Sequence, residues 1–204
     1  MTPADRPPTG AQRTGMSTAR LEAFSDAVLA VAATLLVLDL KTPDESGGAG
    51  IWPVLGHQLP TLAAYVTSFL TILIFWVNHH GLFHGAGPVD RITLFINGLL
   101  LLVVSFISYV TSVLGHALQT GDHDREAAVL YALTLAVASI CFSVLWRRAG
   151  RRTHRLGLGL TGPLLYVVAA LVALLNAPAS LALDAATALY FAVLPQTYRT
   201  GDRT

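Results

Sequence analysis

The chain is 204 residues long, 53% apolar and only 12% charged, with a mean hydropathy of +0.59. So little charge cannot cover a water-soluble globule of this size, and the bilayer is the solvent that fits. The net charge of +1, with basic residues clustered in loops without interleaved aromatics, excludes a nucleic-acid footprint; the single cysteine, Cys141, excludes an intrachain disulfide or a cysteine-rich metal site.

Residues 1–19 are rich in Pro, Thr, Gly and Arg and carry no apolar core, so they read as a disordered cytoplasmic tail rather than a signal peptide. Apolar runs then follow over 20–40, 59–83, 91–114, 126–148, 157–175 and 178–195. Several stay apolar all round for about 18 residues or more, the length that crosses about 30 Å of hydrocarbon. The stretch from Lys41 to His57, with Pro43, Gly47, Gly48, Gly50 and Pro53, reads as the longest loop. Asn176, Ala177 and Pro178 break the last two runs apart, either as a hairpin of two spans or as one kinked segment; the summed length favours two. The expected fold class is therefore all-α, a polytopic membrane protein of six transmembrane helices over 20–198, with a short tail at 199–204.

Orientation follows from the lysine and arginine bias. With the N-terminus inside, the inner segments hold Arg6, Arg13, Arg20, Arg91, Arg147, Arg148, Arg151, Arg152, Arg155, Arg199 and Arg203, against Lys41 and Arg125 outside. Both termini are expected in the cytoplasm, in a bacterial plasma membrane. The cluster from Arg147 to Arg155 is an orientation signal placed to meet anionic lipid headgroups.

Polar residues inside a membrane are costly, so each calls for a reason. The first span opens Arg20-Leu21-Glu22-Ala23-Phe24-Ser25-Asp26, which sets Asp26 about 9 Å of helix rise above the cytoplasmic edge. The second ends Trp76-Val77-Asn78-His79-His80, and the third begins at Arg91 and reaches Asn97 at similar depth. Asp26 should find donors among Arg20, Ser25, Trp76, Asn78, His79 and Asn97. Such a layer either locks helices together or relays a proton, and the residues alone leave both open.

His79, His80 and His84 suggest a metal, but no HExxH pattern and no Cys or Asp at ligand spacing accompanies them, so no metal and no cofactor is expected. No nucleophile with a base, phosphate-binding loop or paired surface carboxylates gives an enzyme anything to work with. On the first span, Ala27, Val31, Thr34, Leu35 and Leu38 share one helical face, with Asp26 turned about 100° away. That stripe suits packing or a pore wall, and periodicity does not decide between them.

The run from Arg20 through Phe24-Ser25-Asp26 to Asp39 resembles the RxxxFSD helix of the transmembrane protein 175 family of potassium channels. The likeness continues through Phe75 to Phe83 and from Asn97 to Ser105 and Phe106, roughly the first 110 residues. The resemblance implies a cation channel without the TVGYG carbonyl filter, with one six-span unit per chain assembled as a homotetramer and the first helices lining a central pore. It further implies a constriction at Val31, continued by Leu35 and Leu38, with Thr34 as the pore-lining selectivity residue and Asp39 at the outer mouth. The signature polar network it implies comprises Arg20, Phe24, Ser25, Asp26, Trp76, Asn78, His79, Asn97 and Ser105. Potassium is then the permeant ion, and lipids and further copies of the chain are the partners, with no nucleic acid. Val31 stands where family members usually carry Ile or Leu, and Ala27 where Gly is frequent, so the neck is expected to be wider. The competing readings are a proton-coupled carrier titrating Asp26 and His79, against which no inverted repeat is visible, and a structural subunit that conducts nothing.

Overall fold

The computed structural model describes residues 18–40, 51–83, 89–148 and 158–193. Both tails, His84, the 41–50 stretch and Arg151, Arg152 and Arg155 lie outside the described residues. The elements in chain order are α1 (Thr18–Leu35), closed by a 3-10 turn at Leu36–Asp39, then α2 (Ile51–His57), α3 (Leu59–Phe83), α4 (Arg91–Thr120), α5 (Asp124–Arg148), α6 (Leu158–Ala173) and α7 (Ala177–Val193).

The local chemistry accounts for the ends. Asp90 caps α4 by accepting the Thr93 amide at 3.0 Å, and its carboxylate also takes the Thr93 hydroxyl. Gly121, at φ 77°, closes the same helix by returning its N–H to the Ala117 carbonyl at 2.8 Å, a left-handed cap that glycine adopts freely. The end expected near residue 114 therefore shifts to Thr120. α5 has Asp124 and Glu126 in its first turn and Arg147 and Arg148 in its last, matching the helix dipole at both ends. Asn176 accepts the Ala179 amide at 2.9 Å and starts α7, so the last two apolar runs are two helices. The stretch expected as a loop from Lys41 to His57 ends instead in α2, whose first turn tolerates Pro53 because the amide lost there has no helical partner anyway.

Hydrogen bonds fix the relative directions. Thr61, Ser68 and His79 of α3 meet Gly115, Thr111 and Asn97 of α4, so these two helices run antiparallel. Ser25 and Ala32 of α1 meet Asn97 and Ser108 of α4, so α1 and α4 run parallel. Arg148 lies 3.7 Å from Asp90, bringing the end of α5 to the start of α4. α6 and α7 return as a hairpin, tied where Ser180 donates to the Ala169 carbonyl at 2.9 Å, and α7 packs on α3 and α5 as well as α6.

Small residues permit the closest crossings. A Cβ on Gly115 would come within 2.9 Å of the Thr61 side chain, and one on Gly162 within 2.5 Å of Ser139 Oγ. Such contacts are how membrane helices gain packing without a hydrophobic driving force. Among the described residues, four helices are long and apolar enough to cross a membrane: Thr18–Leu38, Leu59–Phe83, Arg91–Thr120 and Asp124–Arg148. Leu160–Ala173 and Ala177–Val193 are apolar but shorter. Exposed Phe95, Leu102, Leu164 and Leu175 give the bundle the apolar exterior of a membrane protein.

Candidate functional site: the first helix and its polar anchor

α1 has two unlike faces. Leu21, Ser25, Leu29, Ala32 and Leu36 recur every three to four residues and are buried against α3 and α4. The opposite face carries Ala27, Val31 (55% exposed), Thr34, Leu35 and Leu38 (75% exposed). No element among the described residues covers it. The 3-10 turn keeps Leu38 on the side of Leu35, because its residues eclipse every third position, while Leu36 turns into the core. Thr34 donates its hydroxyl proton to the Val31 carbonyl at 2.9 Å, which leaves its oxygen lone pairs unspent.

Behind this face, polar groups hold α1 in place through two separate sets of bonds. In the first, buried Asn97 donates Nδ2 to Ser25 Oγ at 3.0 Å and accepts from His79 Nε2 at 2.7 Å. The amide oxygen can only accept, so the His79 proton sits on Nε2. His79 Nδ1 is buried and makes no hydrogen bond with a described residue. In the second, Trp76 Nε1 donates to Asp26 Oδ1 at 3.0 Å. Consecutive residues of α1, about 100° apart, therefore grip two different helices.

Of the residues expected in this layer, Ser25, Asp26, Trp76, His79 and Asn97 are brought together. The others go elsewhere. Asn78 donates to Ile74 and Ser105 to Leu101, each within its own helix. Phe24 is 61% exposed on the uncovered side of α1, and Arg20 is exposed at its start. The Asp39 side chain lies outside what is described.

Two contributors escaped the sequence reading. Ser108 donates to the Ala32 carbonyl at 3.0 Å, pinning the α1 backbone one residue beyond Val31. A single serine three residues past Ser105 gave no pattern to prefer it. Glu22, one turn below Asp26, keeps one carboxylate oxygen buried without a hydrogen bond, within electrostatic reach of His79. Its spacing from Asp26 was the available signal.

Comparison with known proteins falls on this same region. The family model described as endosomal/lysosomal potassium channel TMEM175 matches residues 20–107, which contain every member of both sets. A potassium channel of Streptomyces collinus is 38% identical over 188 residues, covering 84% of this chain and 90% of that protein. A potassium channel of Chamaesiphon minutus is 35% identical over 191 residues, covering 86% and 94%. The crystal structure of a lysosomal potassium-selective channel TMEM175 homolog from Chamaesiphon minutus matches with a TM-score of 0.80 at 36% identity, over 86% of this chain and 96% of that one.

Proposed function

Because the chain belongs to the TMEM175 family, we propose that it is a potassium channel that works as a homotetramer of six-span subunits, with α1 of each copy lining a central pore. The observation that carries this reading is the asymmetry of α1: one face pinned by Asn97, Trp76 and Ser108, the other apolar and uncovered along Val31, Thr34, Leu35 and Leu38. A six-helix bundle of this size has no axial channel of its own, so conduction requires that face to meet its symmetry mates.

In that assembly a ring of Val31 side chains is the gate. An apolar neck offers a bare ion nothing in exchange for its hydration shell, so it excludes water when narrow and rewets when slightly widened. Thr34 lies one turn above. Its hydroxyl oxygen, with the proton already given to Val31, stands in for part of the water that potassium sheds more readily than sodium does. Leu35 and Leu38 continue the wall, and Asp39 at the outer mouth concentrates cations.

The excess of arginine on one side supports six spans over 20–198 and cytoplasmic termini at 1–19 and 199–204, in a bacterial plasma membrane where the Arg147 to Arg155 segment meets anionic lipid. The protein is a channel, not an enzyme.

The test is potassium flux and reversal potential in liposomes under a potassium/sodium gradient. Wild type should give a potassium-leaning potential, Val31→Asn should raise basal flux roughly tenfold by wetting the neck, and Thr34→Val should reduce the preference for potassium. Absence of flux, or flux that follows a proton gradient and ignores Val31, would replace this reading with a carrier or a structural subunit.

A further inference from the structure

Three arginines gather where α4 begins and α5 ends. Arg148, the last residue of α5, sets Nη1 3.7 Å from Asp90 Oδ2, and Arg147 precedes it in the same turn. Arg91 opens α4, and its Cζ stands 5.6 Å from the centroid of the Phe95 ring one turn on. All three are exposed. Against them stands Asp90, which is already bonded by Thr93 and paired with Arg148.

The Phe95 contact fixes the Arg91 charge in place, yet the ring accepts no conventional hydrogen bond from the guanidinium. Phe95 also belongs to a stripe. Ile92, Phe95, Leu99 and Leu102 recur every three to four residues and are all exposed, so an apolar surface starts directly at the arginine. From Ile92 to Leu102 the helix rises about 15 Å, half of the about 30 Å of hydrocarbon in a bilayer. A small anion would gain from the charges and nothing from the stripe. A molecule that carries a phosphate and an acyl chain together matches both.

We propose that the start of α4 binds one anionic phospholipid in each subunit, with its phosphate held by Arg91 and Arg148 and one acyl chain laid along Ile92, Phe95, Leu99 and Leu102. The inference rests on the reading of α4 as a span that begins on the cytoplasmic side, and it gives the lipid a fixed place outside the 147–155 segment alone. Guanidinium forks suit phosphate oxygens, and basic corners between helices on that side of a membrane are where anionic headgroups are held. Asp90 is the like charge in the site, and Arg148 offsets it.

The measurement is native mass spectrometry of the full-length protein in mild detergent, titrated with phosphatidylglycerol, with phosphatidylcholine, and with glycerol 3-phosphate as the headgroup without chains. It counts bound lipids and assembled chains in one spectrum. Wild type should bind phosphatidylglycerol saturably at one per chain, with half-saturation at least about fivefold below that of phosphatidylcholine, and should take up no glycerol 3-phosphate. Arg91→Gln and Arg148→Gln should each raise the phosphatidylglycerol half-saturation about fivefold and leave phosphatidylcholine unmoved. Asp90→Asn, which keeps a capping side chain, should lower it. Arg125→Gln, at the opposite end of α5, should change nothing. If one arginine variant fails to fold, the other and Asp90→Asn carry the test.

Equal affinity for the two lipids, a preference unchanged in Arg91→Gln or Arg148→Gln, no tightening in Asp90→Asn, or an equal loss in Arg125→Gln would overturn the proposal. Binding of glycerol 3-phosphate that displaces the lipid would make this a free-anion site and overturn it too. So would an Arg91→Gln variant that loses chains from the assembly while keeping its lipid, because the face would then belong to a second copy. Adduct counts need no ion conduction, so a null result here leaves the flux test of the channel standing, and absence of flux leaves the adduct counts standing.

Discussion

The molecule holds two buried polar layers, one near each end of the bundle, and they are built on opposite principles. In the layer around Asn97, donors and acceptors alternate: Ser25 receives from Asn97, Asn97 receives from His79, and Asp26 receives from Trp76. In the layer around Asp184, the hydroxyl bonds run outward from Tyr131 through Ser68 to Thr111 and the α4 backbone, and the carboxylate is left without a share. The first layer fastens helices by its own bonds. Each layer also leaves polar atoms without a bond to a described residue, His79 Nδ1 and one Glu22 oxygen in the first and both Asp184 oxygens in the second.

The sharpest way to break the comparison is at Asn97, whose side chain serves two partners at once. Asn97→Leu strands both Ser25 and the His79 N–H in the interior, and thermal or denaturant unfolding should show a loss of about 2–4 kcal/mol. Ser68→Ala in the other layer should cost less, about 1–2 kcal/mol, because Thr111 keeps its bond to Ile107 and only Tyr131 loses its acceptor. A Ser68→Ala loss equal to that of Asn97→Leu would erase the distinction between the layers.

The smallest effect belongs to a carboxylate outside both. The Thr93 hydroxyl and amide hold Asp90, at the exposed start of α4, below its ordinary value of 3.8. Its folded value is depressed, so its contribution is present above the ordinary carboxylate range and is lost as pH falls through the folded value. The small Tm gap between wild type and Asp90→Ala should therefore persist at neutral pH and narrow under strong acid.

The first layer was legible because its residues sit near the ends of apolar runs, where a Phe-Ser-Asp or Trp-Val-Asn-His-His string interrupts the hydropathy and stands out. Asp184 sits mid-run in α7, where sixteen other residues average one carboxylate away. Its flanking Ser180 and Thr187 did carry a helical period, but a small hydroxyl in a membrane helix reads as ordinary until its bond directions are known. Asn78 and Ser105 show the converse: both were conspicuous, yet each satisfies itself on its own helix, and no spacing rule distinguishes such a residue from one that crosses to a neighbour. The short α2 was hidden by the prolines and glycines around it, since Pro53 signals a break anywhere except in the first turn that it occupies.

α1 is joined to α4 at two heights, Ser25 to Asn97 and Ala32 to Ser108. Two attachment points remove both sliding and swivelling between a pair of parallel rods, so α1 cannot tilt without carrying α4 along or breaking both bonds. The far side of α4 leaves Phe95, Leu99, Leu102 and Phe106 exposed. On the proposed pore reading, with that face of α4 in the acyl chains, the two helices make one lever with its short arm at Val31, and the thickness and lateral pressure of the bilayer press on the same rigid piece that sets the width of the neck.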